Sequence, residues 1–432
     1  MDVSLPYGHS SLRARIPENV LLRTVSSIVW RTASQQELVK AALEEPIGFP
    51  QLRTIARHKH SVVIVTADKT RGVPSRITFP FILKELRAAG VDEGSVRLLV
   101  ATGLHKGETM NDIRERLGSE LPEGLEVFIH DSDDQDQLTF LGKLSSGTPL
   151  LLSRAVADSD LIVVEGVVEP HFFAGFTGGS KMILPGLAGS ETIMRNHDWR
   201  NIDDPRSRSG VIENPVRAEA NEALRHLGPI FSINLAVDKQ KRIVFANSGE
   251  MLASFVSAAE QVILHSKIQV TERPDVVLTT NGGYPLDRNF YQCVKGIAVP
   301  EEVVHKKSRI IMAGECSDGI AHRDFLKLMQ SGTPTEIYSR MKSSDVPVCD
   351  QWQVQILCRI LHQNQVWFVT RSELKADVES AHIQYASTID EALSAAKLTA
   401  GEHVLAVPEG PGVILKPAEQ ENDMELTEDL AS

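Results

Sequence analysis

The stretch Glu169–Gly189, EPHFFAGFTGGSKMILPGLAG, gathers more reactive side chains than any other part of this chain. A histidine (His171), a glycine-dense turn (Gly175, Gly178, Gly179) and a lysine (Lys181) fall within a few residues, and His197 follows in MRNHDW. Histidine titrates near neutrality and suits proton transfer. The turn AGFTGGS can aim backbone N–H groups at an anion such as a nucleotide phosphate. It is not a Walker loop, because GxxxxGK[ST] does not match. Lys181 is open to two roles, a counter-charge for phosphate or a nucleophile that forms a covalent adduct. After a glycine turn the counter-charge is the plainer reading. His197 is a candidate metal ligand.

Three further clusters join this set. TADKTRG (Thr66–Gly72) places Asp68 and Arg71 on one tight turn, with Lys69 and Thr70 between them. The turn either holds a ribose, phosphate or carboxylate, or is stiffened by a local ion pair. ATGLHKGET (Ala101–Thr109) delivers His105 just past an apolar run, a position more often structural than catalytic when it stands alone. YPLDRNFYQCVKG (Tyr284–Gly296) sets Tyr291 and Lys295 one helical turn apart, with Gln292 beside them. That arrangement grips a carboxylate or simply presents a solvated lysine. Trp352, in DQWQVQIL, walls a pocket or fills a core, and core filling is the plainer reading. His105, His171 and His197 are also compatible with a three-histidine zinc site, which their spacing neither supports nor excludes.

Positioning these groups requires strands that end where they begin. Ser61–Thr66, Arg97–Thr102, Leu125–His130 and Asp160–Gly166 read as buried strands, with helices at Ile77–Ala89 and Glu108–Leu117. Glu191–His197 reads as a short helix capped by Ser190. Asn214–His226 and Met251–His265 read as longer helices, and Ile230–Val237 and Arg242–Ala246 as paired strands between them. A second set begins near Asp275, with strands Asp275–Thr280, Arg309–Ala313, Gln365–Thr370 and Val404–Pro408. Its helices are Asn289–Ile297, Arg323–Gln330 and Gln351–His362.

Such alternation predicts the α/β class with mainly parallel sheets. The boundary falls around Lys267–Pro274, giving an N-terminal α/β domain over 1–267, a C-terminal α/β domain over 275–417 and an acidic, frayed tail over 418–432. Every suspicious polar group follows one of the strands, at the end where open α/β sheets bind ligands. If the two sheets aim those ends at each other, one interdomain cleft collects them all.

Bulk properties narrow the function further. With 432 residues the chain suits two domains, and 42 % hydrophobic with 24 % charged residues suits a soluble globular protein. A net charge of −12 with scattered basic residues argues against a nucleic-acid or membrane-surface partner. No apolar run suggests a signal peptide or a membrane span. Cys293, Cys316, Cys349 and Cys358 lie far apart without CxxC spacing, so no disulfide framework or zinc–thiolate site is expected and a reducing cytoplasm fits.

In this order ATGLH, EPHFFAGFTGGSKMILPG, the NH of MRNHDW and GGYPLDRNFYQCVKG resemble the lactate racemase family, from about Pro6 to about Leu415. The resemblance implies an isomerase, a 2-hydroxyacid racemase or epimerase, that uses a nickel-pincer nucleotide: nickel held by a pyridinium mononucleotide with two sulfur-containing arms. It implies that Lys181 tethers this cofactor through a thioamide and that His197 is the protein ligand to nickel. The turn Asp68, Lys69, Thr70 and Arg71 is then a cofactor contact, and His105 and His171 are the acid/base pair. Gln292 and Lys295 hold the substrate's carboxylate end, with Arg71, Tyr291 and Trp352 also at the substrate. The N-terminal domain carries the cofactor, the C-terminal domain closes the substrate site, and cofactor-biosynthesis enzymes are maturation partners. One departure is Gly72, where the family often has proline; it loosens the turn but spares its chemical groups.

The chemistry accounts for the residue types. Inverting a 2-hydroxy acid by α-proton removal requires a poorly stabilised carbanion. Removing hydride while a base takes the hydroxyl proton gives a planar 2-keto acid instead, to which hydride returns on either face. Each enantiomer needs its own proton acceptor, hence a pair of histidines. A lactate-like substrate is the expectation. A His-rich zinc hydrolase is an alternative that leaves Lys181 and the glycine turn idle. A catalytically silent ligand-binding relative is another, opposed by the presence of both histidines together with Lys181. A nicotinamide-dependent dehydrogenase is weakest, since no GxGxxG follows a strand.

Overall fold

The computed structural model describes residues 1–30, 33–344 and 346–418, so the tail expected over 418–432 lies, from 419 onward, outside the described residues. In chain order the strands that matter are β1 (Leu21–Thr24), β2 (Val62–Ala67), β3 (Val96–Ala101), β4 (Glu126–Ile129), β5 (Leu161–Val167) and β6 (Ile230–Val237). They continue with β7 (Ile243–Glu250), β8 (Val276–Thr280), β9 (Arg309–Ala313), β10 (Gln365–Val369), β11 (Gln384–Ala386) and β12 (His403–Val407). These build two six-stranded sheets, ordered β7-β6-β5-β2-β3-β4 and β11-β10-β9-β8-β12-β1. All neighbours pair in parallel except β6 and β7.

Every residue of β2 and of β5 is buried, which explains why both read as mainly apolar runs. Strands covered on two faces have no polar side to alternate with. The helices are α1 (Ser75–Ala88), α2 (Ser190–Asn196), α3 (Pro215–Ala223), α4 (Met251–Ser266), α5 (Phe290–Ala298) and α6 (Gln351–Leu361). Helix α1 buries Phe79, Ile82, Leu83 and Leu86. The start of α5 is fixed by Asn289, whose side chain accepts from the Gln292 N–H at 2.9 Å. In the first sheet the chain runs from β2 outward through β3 to β4, then returns to place β5 on the other side of β2. The crevice between the carboxyl ends of β2 and β5 is therefore a topological switch point, where such sheets bind ligands. The second sheet has the same switch between β8 and β12.

Most strand and helix ends differ from the sequence expectation by a residue or two, as frayed ends do. The N-terminus differs more. A hairpin of Asp2–Tyr7 with Ser10–Arg15 packs Val3, Leu5 and Ala14 into the core of the second sheet. Strand β1 then pairs with β12 at that sheet's edge. Strand pairing thus joins the first residues to the C-terminal sheet, whereas a division at 267 and 275 groups them with the first. The cause is that β1 is four residues long, with three exposed, and pairs through its backbone without an apolar run to read. Ser190 also begins α2 rather than capping it; Gly189 is the N-cap, with no side-chain cap bond. Among the described residues no helix is long and apolar enough to cross a membrane.

Candidate active site

The carboxyl ends of β2, β3 and β5, together with helix α5, open onto one cleft that is partly open to solvent. Asp68, Arg71, His105, His171, Lys181 and His197 line it from the first sheet, and Tyr291, Gln292, Lys295 and Trp352 from the second half of the chain. These expected site residues, scattered along the sequence, meet in one place.

Lys69 and Thr70 are not among the lining residues. The Lys69 amine binds the Gly107 carbonyl at 2.8 Å and Asp112 at 3.0 Å. Thr70 donates its N–H and its hydroxyl to Asp68 Oδ1, at 3.0 and 2.6 Å. Both residues brace the turn. The other oxygen of Asp68 lies 2.7 Å from His105 Nδ1. Burial pushes the Asp68 carboxyl up, but His105, Arg71 and Thr70 outweigh it and hold it at about 2. An ionised Asp68 fixes the proton of His105 on Nδ1 and leaves Nε2 for the cleft.

Past β5 the chain turns through Gly178 (φ +69°) and Gly179 (φ +59°). A Cβ on Gly179 would stand 2.5 Å from a Phe255 ring carbon, and one on Gly178 would stand 2.9 Å from the Val167 carbonyl oxygen. Only glycine fits either position. Behind the turn Arg217 of α3 is fully buried, donating to the carbonyls of Phe176 at 2.6 Å and Gly178 at 3.3 Å, its guanidinium 4.0 Å from the Phe255 ring. Burial lowers it to about 9. Arg217 therefore shapes the turn that presents Lys181.

The Lys181 amine lies 5.4 Å over the Phe173 ring. Burial, then the charges of Arg71, Arg217 and Lys295, hold it well below the usual lysine range. His197 is buried, with no hydrogen-bond partner for Nδ1 among the described residues. Burial and Lys181 bring it down to about 3, which keeps the imidazole neutral. Its ring meets Phe173 and Trp352 edge-on, with centroids 5.1 and 5.2 Å away. His171 is also buried and depressed, first by burial and then by Lys181, Arg71 and Lys295. Its Nδ1 accepts from the Ala174 N–H at 3.3 Å, so its neutral ring carries the proton on Nε2.

Helix α5 contributes the opposite wall. Burial, then Arg71, lowers the Lys295 amine to about 7, with Glu169 and Asp68 pulling the other way. Arg71 thus faces two lysine amines across the cleft and lowers both, an arrangement that favours anionic ligands. Tyr291 accepts from Trp352 Nε1 at 3.2 Å and donates to Asp350 at 3.0 Å. Asp350 and its partner His322, also in the lining, were not singled out by sequence reasoning. His322 follows β9, so the strand-end rule could have found it. Asp350 and Arg217 sit among helix-like patterns and gave no signal. No group of three or more His, Cys, Asp or Glu that could hold a metal ion occurs among the described residues, so the three-histidine zinc site is not assembled.

Fold and cleft together are those of an α/β enzyme whose cleft gathers histidines, lysines and an arginine. Residues 7–210 match the lactate racemase N-terminal domain, and residues 269–415 match the lactate racemase C-terminal domain. The chain is 36 % identical over 426 residues to the lactate racemase of Thermoanaerobacterium thermosaccharolyticum, covering 96 % of this chain and 99 % of that one. It is 34 % identical over 423 residues to the lactate racemase of Lactiplantibacillus plantarum, with the same shares covered. The structure of the T. thermosaccharolyticum lactate racemase apoprotein matches with a TM-score of 0.90 at 35 % identity, over 96 % of this chain and 100 % of that one. A Thermotoga maritima protein shares the fold alone, with a TM-score of 0.67 at 17 % identity over 89 % of this chain and 98 % of its own. The chain belongs to the lactate racemase family.

Proposed function

We propose that the chain racemises a 2-hydroxy acid of the lactate type through a 2-keto acid, using a nickel-pincer nucleotide tethered to Lys181. The observation that carries this reading is Lys181 itself: a buried amine held away from protonation, on a glycine turn, in a chain of this family. A neutral amine is the form that makes a covalent bond.

The residues fit the cofactor. His197, neutral and with an unpartnered buried nitrogen, suits a metal ligand. The glycine turn and Arg71 suit the nucleotide phosphate. When bound, the group supplies the acceptor and donor of the C2 hydride. The chain's own residues do the rest. Lys295 and Gln292 hold the substrate carboxylate, with Arg71 adding charge. His105, with Nδ1 committed to Asp68, takes the hydroxyl proton at Nε2. His171 serves the opposite enantiomer: with Nε2 unprotonated it takes the hydroxyl proton there, and the imidazolium so formed returns that proton to the keto oxygen when hydride comes back on that face. Freeing Nε2 places the ring's own proton on Nδ1 and surrenders only the long 3.3 Å bond from Ala174, a cost of about 1 kcal/mol. Phe172, Phe173 and Trp352 exclude water from the reacting carbon.

The test is denatured mass spectrometry with a peptide map across Lys181, on protein co-produced with a pincer-cofactor pathway. A nucleotide-sized adduct on Lys181 and racemisation of lactate are expected. An unmodified Lys181, in a preparation where a known family member is loaded, would overturn the tether.

A further inference from the structure

A second aspartate–histidine pair stands on the second-sheet side of the cleft, and the proposed reaction does not use it. His322 Nδ1 lies 3.0 Å from Asp350 Oδ2, while Asp350 Oδ1 accepts from the Tyr291 hydroxyl at 3.0 Å. The imidazole also stacks on the Tyr291 ring, with centroids 4.0 Å apart and planes 10° apart. The Asp350 side chain is only 6 % exposed, whereas that of His322 is 42 % exposed, and both residues line the cleft. The histidine is thus pinned on one edge and one face, and its other edge is open. Asp350 holds it from a left-handed backbone conformation, φ +64°, which few non-glycine residues adopt. With Nδ1 taken by the carboxylate, Nε2 is the atom left for a ligand.

The neighbourhood says what that ligand is. Tyr291, under the imidazole, sits four residues before Lys295 on α5, about 6 Å along the helix. A small acid held at Lys295 and Gln292 therefore shares its cleft with an imidazole pinned over Tyr291 of the same helix. A bare methyl needs no such partner. We infer that His322 determines specificity for the substrate's tail: the chain prefers 2-hydroxy acids whose substituent carries an oxygen function, a carboxylate or a hydroxyl, over those ending in alkyl. This rests on the racemase reading above and names the substrate class of the same site. A neutral imidazole accepts from a hydroxyl at Nε2, and a protonated one donates to a carboxylate.

The experiment compares adduct-bearing full-length protein, wild type and His322→Phe, in racemising malate, 2,4-dihydroxybutyrate, lactate and 2-hydroxybutyrate. Phenylalanine keeps the stack on Tyr291 and removes Nε2. The wild type is expected to favour the oxygen-tailed acids, malate and dihydroxybutyrate separating the two tail types. In the variant, the ratio of kcat/KM for the preferred oxygen-tailed acid to that for 2-hydroxybutyrate should fall roughly tenfold or more, mainly through KM. An unchanged ratio, or an equal collapse of kcat on all substrates, overturns the inference, because a structural role would not separate tails. Wild type that racemises lactate without distinguishing tails overturns this inference alone. Adduct-bearing wild type that racemises none of the acids overturns the racemase reading with it.

Discussion

Replacing Asp68 by asparagine tests whether this carboxylate serves His105 or the cofactor. Both of its oxygens are engaged within the protein, one by Thr70 and one by His105 at 2.7 Å. Holding the carboxyl at about 2 instead of its ordinary 3.8 is worth about 2 kcal/mol of folding free energy at neutral pH, at 1.36 kcal/mol per pH unit. The sign is that of a depressed acid: the contribution is complete above about pH 4 and is lost as pH falls through about 2. Asp68→Asn should therefore lower stability by about 1–2 kcal/mol at pH 7, measured by urea unfolding, and the gap to wild type should close toward pH 2. For catalysis, an amide no longer dictates which nitrogen of His105 carries the proton. The loss expected is on the order of 10²- to 10⁴-fold in kcat for lactate racemisation, with little change in KM. A kcat within a few-fold of wild type, or a loss confined to cofactor loading, would refute the pairing as the reason Asp68 is there.

Other consequences follow from the same cleft. With Lys295 at about 7, its amine loses charge above neutrality, so KM for the substrate anion should rise from pH 7 to 9; a flat KM would count against its role as the carboxylate's partner. Because that lysine is lowered from 10.5 by folding, the unfolded chain binds more protons between about 7 and 10.5. Ligand-free wild type should therefore gain stability over that window relative to Lys295→Met, and identical pH profiles would contradict it. Gly179→Ala puts a Cβ 2.5 Å from Phe255 at φ +59°, which should cost about 2–4 kcal/mol and lower Tm by several degrees. An unchanged Tm would show that the turn is not as tightly held as it looks. Substrate deuterated at C2 should turn over more slowly, with no solvent deuterium appearing at C2; rapid wash-in would replace hydride transfer by proton abstraction.

What the sequence revealed depended on how each feature is encoded. Strands such as Val62–Ala67 and Leu161–Val167 are buried on both faces, so their apolar runs are legible without context. The strand-end rule brought His105, His171 and Lys295 together, and they line one cleft. Strand Leu21–Thr24 was invisible because its sheet membership resides in backbone bonds to His403–Val407. Lys69 and Thr70, which the resemblance places at the cofactor, have polar atoms bonded to Gly107, Asp112 and Asp68 and do not line the cleft. Arg217 reads as one charge on a helix. Its burial against Phe255 follows only from how α3 packs on the turn, which no local pattern encodes.

The convergence of cations explains why the cleft is shared between two sheets. Arg71 and Lys181 come from the first sheet and Lys295 from the helix after β8; Arg71 lowers the proton affinity of both lysines, and Lys295 lowers that of Lys181. Without an anion these groups repel across the cleft, and burial adds to the cost of keeping them charged. A phosphate or carboxylate between them reverses both terms, since it neutralises charge on each wall at once and restores the protonated lysine that grips it. The binding free energy of the anion then includes relief of a repulsion built into the folded chain. Removing one wall's cation by Lys295→Met should therefore do two things that simple loss of a contact would not. It should raise the proton affinity of Lys181, and it should stabilise the ligand-free protein while weakening substrate binding.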